Sequence, residues 1–301
     1  MKKIGFSTWT LQSTFGPLRT LEIASECGFD AIDFDLSSYG GENDPIYKRG
    51  DAMAEHFTKI KERAEEIGIM ISQTHGRCRT YTPLAEECNY AKWVSERDLL
   101  ATSILGAPAC VIHNISTCSW GPRQAEFMHK KNAEFINDIT PFAERYGVNI
   151  GFETFGDATF DGERYVDFFG DSGELLTQFR MAKTKNKVLC MDTGHTNKAC
   201  CAARERGYTV PSVEDSIRLF GKDLGLLHLN DNNSYSDQHL PPLWAGYLYS
   251  VKWDAVMEAL DGIGYSGVYN FELNLDHFGS ELYDVVHLLG KYLRSFINKY
   301  E

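Results

Sequence analysis

The fold of this chain can be read outward from residues 187–197, KVLCMDTGHTN. An apolar run from 188 to 191, typical of a buried strand, passes directly into the acid Asp192, then Gly194 and the imidazole of His195. One interpretation is a capped strand end at the surface. The other is that Asp192 and His195 belong to a larger set of ligating groups, and the rest of the sequence favours this second interpretation.

The same unit, a short apolar strand followed by an amphipathic helix, recurs along the chain. Segments such as 51–68 and 131–147 repeat apolar residues at helical spacing and end at a glycine. The predicted strands are KIGFSTW (3–9), FDAIDFD (29–35), IMISQTH (69–75), ACVIHNI (109–115), VNIGFETF (148–155), KVLCMD (187–192), GLLHLND (225–231) and GVYNFELN (267–274).

Eight strand-helix units predict an α/β fold, a (β/α)8 TIM barrel, because parallel strands need crossover helices and eight such strands close a sheet. We expect residues 1–301 to form a single barrel domain, since no linker or low-complexity stretch divides them. A doubly wound open sheet is the alternative. It normally has a glycine-rich phosphate turn after an early strand, and the sequence has none.

The composition excludes several classes of protein. A net charge of −12 argues against binding of nucleic acid, whose phosphates need a positive surface. The sequence has no apolar run near the roughly 20 residues of a membrane span. Eight cysteines without CxxC spacing, and a start without an apolar leader, predict a reducing, cytoplasmic location. We expect a small-molecule partner, and the acidic surface is compatible with a homo-oligomer.

Acids and imidazoles fall at the predicted strand ends. In a barrel these ends meet at one mouth, where active sites are built. Taken singly, a strand-end carboxylate is more often a cap or an ion-pair residue, and a strand histidine is more often a hydrogen-bonded core residue. Together, so many buried polar groups need a cation to satisfy them. The residues concerned are His75, His113, Glu153, Asp192, His228 and Glu272, with His195 and His239 in the loops that follow.

Two glutamates, one aspartate and one histidine would make a metal site rich in oxygen donors. Such a site suits Mn²⁺, Mg²⁺ or Co²⁺ better than a thiolate-loving ion. We expect one divalent ion, with Mn²⁺ first and Mg²⁺, Co²⁺ or Zn²⁺ as alternatives. Asp192 is predicted to be a ligand, and His195, one short turn further on, to face the substrate.

The chain resembles a known family at five motifs that occur in order: GFET (151–154), MDTGH (191–195), LLHLND (226–231), DQHLPP (237–242) and FELN (271–274). Together they are similar to the xylose isomerase-like barrel superfamily of sugar-phosphate isomerases and epimerases. The resemblance extends over essentially the whole chain, from the first predicted strand to the last.

The resemblance to the ketose 3-epimerases of that superfamily implies one divalent metal ion held by Glu153, Asp192, His228 and Glu272. It also implies that the two glutamates are the catalytic acid and base on opposite faces of the substrate carbon, and that His195 hydrogen-bonds the substrate. Two positions depart from the pattern. Ser234 lies near the place of an arginine in those epimerases, and Leu243 replaces a glycine after the two prolines.

The same motifs also resemble the apurinic endonuclease IV group, which binds three zinc ions. Nine residues match that group's ligand set in order: His75, His113, Glu153, Asp192, His195, His228, Asp237, His239 and Glu272. The acidic charge and the lack of a basic stretch favour the sugar branch.

The predicted function is therefore a metal-dependent sugar isomerase or epimerase, acting on a free or phosphorylated sugar through an enediolate. A dehydratase acting on a ketocyclitol or related sugar acid is the closest alternative, followed by a zinc phosphodiesterase and a non-catalytic sugar-binding protein. The predicted substrate-binding residues are His75, His113, His195, Asp237, His239, Trp9 and Trp120.

Three further features follow predicted strands. Trp9, Trp120 and Trp244 can pack against sugar C–H faces, or else cover the mouth. Arg77 and Arg79 can bind a phosphate or carboxylate, or else lie in a solvated loop. The acidic and aromatic segment 155–173 is predicted to be a long loop that serves as a lid or a subunit contact.

Overall fold

Eight parallel strands lie side by side in one sheet of the computed structural model, which describes residues 1–41, 43–48, 50–77, 82, 84–113, 115–246 and 248–301. They are β1 (Ile4–Ser7), β2 (Ala31–Asp35), β3 (Met70–His75), β4 (Ala109–Val111), β5 (Asn149–Glu153), β8 (Lys187–Asp192), β9 (Leu224–His228) and β10 (Tyr269–Phe271). A separate antiparallel hairpin consists of β6 (Asp157–Phe160) and β7 (Glu163–Val166). All eight predicted strands are present.

The helices lie between the strands and after the last one. They are α1 (Trp9–Phe15), α2 (Pro17–Glu26), α3 (Asp51–Ile67), α4 (Ala85–Leu105), α5 (Thr117–Trp120), α6 (Ala125–Tyr146), α7 (Ser172–Met181), α8 (Thr193–Glu205), α9 (Val213–Phe220), α10 (Trp253–Gly262) and α11 (Leu282–Asn298). Within the described ranges, no helix is both long and apolar enough to cross a membrane.

The sheet closes on itself to form the predicted (β/α)8 barrel. Its strand order is β10-β1-β2-β3-β4-β5-β8-β9, with parallel neighbours. Leu229, directly after β9, forms a parallel bridge with Phe271 of β10. Its N–H donates to the Asn270 carbonyl at 2.8 Å, and its own carbonyl accepts from the Glu272 N–H at 3.2 Å. The barrel prediction is confirmed.

The side-chain period of the strands determines what lines the barrel interior. Successive strand residues point to opposite faces, so alternate positions of each strand share the inner face. On β8 and β9 these positions carry Cys190 and Leu226, which are buried in one apolar cluster with Val111 of β4. Two residues further along, β8 and β9 end at Asp192 and His228. The polar groups therefore lie next to an apolar layer of the barrel interior, at the carboxyl end of the strands.

The hairpin β6–β7 replaces part of the predicted loop 155–173. Its two strands pair from Asp157 opposite Val166 to Phe160 opposite Glu163. The two turn residues, Asp161 and Gly162, have φ values of 51° and 78°. An Asp-Gly pair with positive φ at both positions is the favoured two-residue hairpin turn, because its twist matches that of the strands.

Candidate metal centre

Four neighbouring strands of the barrel wall converge on one group of acids and one imidazole. Glu153, Asp192 and His228 are the last residues of β5, β8 and β9, and Glu272 directly follows β10. One donor atom from each of the four lies within 4.8 Å of the others. All four side chains are buried. The residues predicted to form a single set are therefore adjacent in space.

The first turn of α8 explains the DTGH stretch. Asp192 caps this helix, and its Oδ1 accepts from the His195 N–H at 2.7 Å. Its Oδ2 accepts from Asn230 Nδ2 at 2.8 Å. A Cβ at Gly194 would lie 1.9 Å from Asn230 Oδ1, so only glycine allows Asn230 to approach the carboxylate. The local sequence thus fixes the orientation of Asp192.

His228 is held between acids on both sides of its ring. Its Nδ1 lies 2.5 Å from Glu153 Oε1 and 3.5 Å from Glu272 Oε2. Its Nε2 lies 2.9 Å from Oδ2 of Asp33, a fully buried residue of β2. Asp33 was not among the predicted site residues. The signal that indicates it is the two-residue period of β2, which puts Asp33 on the inner face with Asp35.

The two glutamates differ in their pKa values. Burial raises the pKa of Glu272 to about 7, against the effect of His228 and His239, and Glu153 and Asp192 raise it further. Burial also opposes ionisation of Glu153, but the neighbouring His228 and His113 hold the pKa of Glu153 well below its usual range. The surroundings therefore shift the pKa values of the two carboxyl groups in opposite directions.

The charges of this group fit a divalent cation. Glu153, Asp192 and Glu272 are three buried carboxyl groups around one imidazole. In the part of the chain that the structure describes, their ion-pair partners are histidines and include no lysine or arginine. Buried carboxylates need a compensating positive charge. Three oxygen donors and one nitrogen donor at this spacing can provide it by holding a metal ion.

A second cluster lies beside the first and consists of His195, Asp237 and His239. The Nε2 atoms of both histidines lie 3.4 Å from Asp237 Oδ2. Each ring is oriented through its Nδ1, which lies 3.0 Å from the Thr154 carbonyl in His195 and 3.1 Å from the Glu272 carbonyl in His239. These donor atoms also lie within 4.8 Å of one another.

In this second cluster, the two imidazoles and the carboxylate stabilise one another in their charged forms. Although burial lowers it, the pKa of His195 is raised well above its usual value by Asp192 and Asp237. Burial is likewise outweighed in His239, whose pKa rises to about 9 because of Asp237, Glu272 and Asp192. Against burial, His195 and His239 hold the pKa of Asp237 far below its usual range.

The other two predicted histidines border the first cluster. His113 Nε2 lies 3.0 Å from Glu153 Oε2, and the His75 ring packs edge-on to it with the ring centroids 5.0 Å apart. His75 Nε2 is 3.9 Å from Glu272 Oε1. Burial, and then His113, lower the pKa of His75 to about 4. A neutral imidazole is thus available at this edge of the site.

The three tryptophans have different neighbours. Trp9 lies at the start of α1, with its ring centroid 5.5 Å from that of His239. Trp120 instead packs against Phe127 of α6 at 5.5 Å. Trp244 is half exposed and borders a neighbouring cavity together with Asp237. The structure therefore brings Trp9 to the histidines, whereas the ring contact of Trp120 is with Phe127 in the first turn of α6.

Arg77, two residues after β3, differs from either predicted alternative. Arg77 is buried, and its Nε lies 2.8 Å from Oδ1 of Asp98. Its backbone N–H donates to Asp98 Oδ2 at 2.8 Å. Arg77 is therefore neither a solvated loop residue nor free for a phosphate. Arg79 lies outside the described residues.

Two cavities meet at Asp237. A polar cavity of about 210 Å³ is bordered by His113, His195, Lys198 and Asp157. An apolar one of about 390 Å³ is lined by Leu240, Trp244, Leu275 and Phe278, among others. Both lie at the carboxyl end of the barrel, beside the two clusters.

This barrel, with its strand-end acids and histidines, belongs to the xylose isomerase-like TIM barrel family, whose model matches residues 21–288. The resemblance seen in the sequence motifs is thereby confirmed. No curated protein matches the chain significantly in sequence.

Solved structures with the same fold include three sugar epimerases. A D-psicose 3-epimerase from Clostridium cellulolyticum H10, solved with D-tagatose, is 16% identical, covers 98% of this chain and 99% of its own, and has a TM-score of 0.70. An L-ribulose 3-epimerase is 17% identical, with coverage of 100% and 94% and a TM-score of 0.71. A 3-keto-D-glucoside 4-epimerase from E. coli is 16% identical, with coverage of 98% and 100% and a TM-score of 0.69.

Proposed function

We propose that this protein is a divalent-metal-dependent sugar isomerase or epimerase that works through an enediolate. The observation that carries the proposal is the convergence of Glu153, Asp192, His228 and Glu272, whose donor atoms lie within 4.8 Å of one another. The family membership and the three structurally similar epimerases support it.

The donor set determines which ion is proposed. Three carboxylates and one imidazole favour Mn²⁺, with Mg²⁺, Co²⁺ or Zn²⁺ as alternatives. When bound by Glu153, Asp192, His228 and Glu272, such an ion would supply Lewis-acid polarisation of a substrate carbonyl and its neighbouring hydroxyl.

The two glutamates are proposed as the proton carriers. Glu153, whose pKa is held low, takes the proton from the carbon next to the carbonyl, and the electron pair of that C–H bond forms the enediolate. Glu272 is proposed to return a proton to carbon; in the metal-free protein the pKa of its carboxyl is raised, so it takes up a proton more readily than Glu153 does. Return to the other face of the same carbon is epimerisation, and return to the neighbouring carbon is isomerisation.

The surrounding side chains are proposed to bind the sugar. His195 and His239 can hydrogen-bond substrate oxygens, together with Asp237 between them. His75 and His113 border the other side, and Trp9 offers a flat face beside His239. Trp120, whose ring packs on Phe127 in the first turn of α6, stays a proposed substrate contact.

The test is exchange of substrate protons with solvent. The protein is stripped of metal, reloaded with Mn²⁺, and incubated in heavy water with a panel of ketohexoses, ketopentoses, their phosphates and ketocyclitols, with proton NMR as the readout. We expect one C–H signal next to the carbonyl to be lost only after reloading. Glu153→Gln and Glu272→Gln should each slow exchange at least about 100-fold. Glu174→Gln, in the first turn of α7 where Glu174 pairs with His129, is the matched control and should leave the rate unchanged.

Two outcomes would contradict this proposal. An unchanged exchange rate in Glu153→Gln or Glu272→Gln would show that the substituted glutamate is not a proton carrier. Loss of water from a ketocyclitol, without isomer formation, would assign the same site to the dehydratase that the sequence left as its nearest alternative.

One observation favours a second candidate, a multi-zinc phosphodiesterase. The cluster of His195, Asp237 and His239 has the geometry to hold a further metal ion beside the first. The net charge of −12 opposes a nucleic-acid substrate, as the sequence indicated.

A further inference from the structure

Lys198 reaches into the candidate site from α8, one helical turn after His195. Its side chain is only 11% exposed. Its Nζ lies 3.0 Å from Asp157 Oδ1 and 3.4 Å from Asp237 Oδ1. Sequence reasoning did not single out this residue. Its spacing of three from His195 is the signal, since residues three apart share one face of a helix.

The ammonium occupies the free side of the second cluster. The two histidines approach Oδ2 of Asp237, whereas Lys198 approaches the other carboxylate oxygen, Oδ1. Asp237 is the only acid among the three members of that cluster. Lys198 therefore offsets part of the negative charge that would attract a metal ion between the histidines.

The hairpin keeps the ammonium in this position. Asp157, the first residue of β6, binds Lys198 through Oδ1 and Arg164 of β7 through Oδ2. Arg164 is fixed in turn by Glu205 of α8, with Nη1 and Oε2 3.0 Å apart, and by the Ser234 carbonyl. Lys198 is therefore anchored on one side by the hairpin while it pairs with Asp237 on the other.

We propose that Lys198 excludes a second metal ion from the cluster of His195, Asp237 and His239, and so keeps the centre mononuclear. A divalent ion between those residues would lie beside a positive charge that is held in place by two ion pairs, and like charges at such short range repel each other. This inference rests on the proposed single-metal function. According to this inference, Lys198 determines whether the site holds one cation, as sugar chemistry needs, or several, as phosphodiester chemistry needs.

The experiment counts metal ions. Wild-type protein, Lys198→Met and the control Lys2→Met are dialysed to equilibrium against Zn²⁺, and bound zinc is measured by elemental analysis. Lys2 is a suitable control because it also pairs with an aspartate, Asp261 at 2.7 Å, and precedes β1 at the opposite end of the barrel. We expect one zinc per chain in the wild type and in Lys2→Met, and two in Lys198→Met. The double variant Lys198→Met with Asp237→Asn should return to one.

The outcomes separate this inference from the proposed function. A folded Lys198→Met protein that still binds one zinc, beside a wild type that binds one and exchanges sugar protons, overturns the role of Lys198 alone. A wild type that binds two or more zinc ions also overturns it. A wild type that binds none and has no exchange activity overturns both proposals. Folding of each variant is checked by circular dichroism. Lys198→Gln is measured in parallel, and its zinc count decides the question if Lys198→Met does not fold.

Discussion

At the scale of single residues, Asp33 shows how a buried acid can act through a histidine. Its Oδ2 accepts from His228 Nε2 at 2.9 Å, from Gln73 Nε2 at 3.0 Å and from Asn270 Nδ2 at 3.4 Å. A carboxylate at this nitrogen favours the tautomer that has its proton on Nε2, which leaves Nδ1 facing the acids of the candidate centre.

Asp33→Asn is therefore expected to weaken Mn²⁺ binding about tenfold, because the neutral amide fixes the ring less strongly. Isothermal titration calorimetry measures the affinity directly. Asp30→Asn serves as the control, since Asp30 pairs with Arg294 at 2.6 Å and lies at the amino-terminal side of β2. Equal affinities in the two variants would assign Asp33 a role in the core only.

Residue types at strand ends could be predicted from the sequence, but their partners could not. Glu153, Asp192, His228 and Glu272 were found because eight parallel strands must end at one mouth. Asp33 was missed because acids that alternate with apolar residues, as Asp33 and Asp35 do in β2, resemble solvent-facing residues until the closed barrel shows that both faces of the strand are covered. Lys198 was missed because its two partners, on the hairpin and in the loop after β9, are distant in sequence.

At the scale of elements, the loop after β9 is organised by one buried acid, Asp231. Its carboxylate accepts from the Leu243 N–H at 2.9 Å, the Val251 N–H at 3.0 Å and Trp253 Nε1 at 3.0 Å. Leu243 has a φ of 69°, the left-handed conformation that favours glycine. The loop therefore keeps a glycine-like turn at the position where the sequence departs from the family pattern.

Leu243→Gly should raise the free energy of unfolding by about 0.5–1 kcal/mol, since an L-residue is strained in this conformation. The gain is reduced by the greater freedom of glycine in the unfolded chain. Urea denaturation provides the measurement. Tyr249→Gly, in the same loop and without positive φ, should bring no gain. A loss of stability in Leu243→Gly would mean that the half-exposed leucine side chain contributes more than the strain costs.

The hairpin β6–β7 was the element least visible beforehand. The sequence TFDGER contains the Asp-Gly signal for a two-residue turn. The pattern around this turn nevertheless predicts a loop, because the flanking strands have only four residues each and are partly exposed rather than apolar.

At the scale of the whole molecule, stability should couple to metal and to pH. The pKa of Glu272 is raised to about 7, above its usual value, so its contribution to stability is present at low pH and is lost as the pH rises through 7. A bound cation requires the ionised carboxylate, so its affinity should instead increase over the same range.

The Mn²⁺-induced increase in Tm should therefore be larger at pH 8 than at pH 5.5. Saturation at about 100 times the Kd would add about 2.7 kcal/mol to the free energy of unfolding. Differential scanning fluorimetry with and without Mn²⁺ at both pH values is the measurement. Glu272→Gln should reduce the pH dependence, because an amide does not titrate. Equal shifts in Tm at the two pH values would contradict the coupling.

The two halves of the barrel contribute unequally to the candidate metal centre. β5, β8, β9 and β10 are consecutive staves of the wall and come from the second half of the chain, while β2, which carries Asp33, comes from the first. The contact between Asp33 and His228 thus spans the barrel interior and does not join two adjacent strands where the halves meet. The carboxy-terminal half-barrel holds every proposed donor, yet it depends on the amino-terminal half-barrel to aim the imidazole.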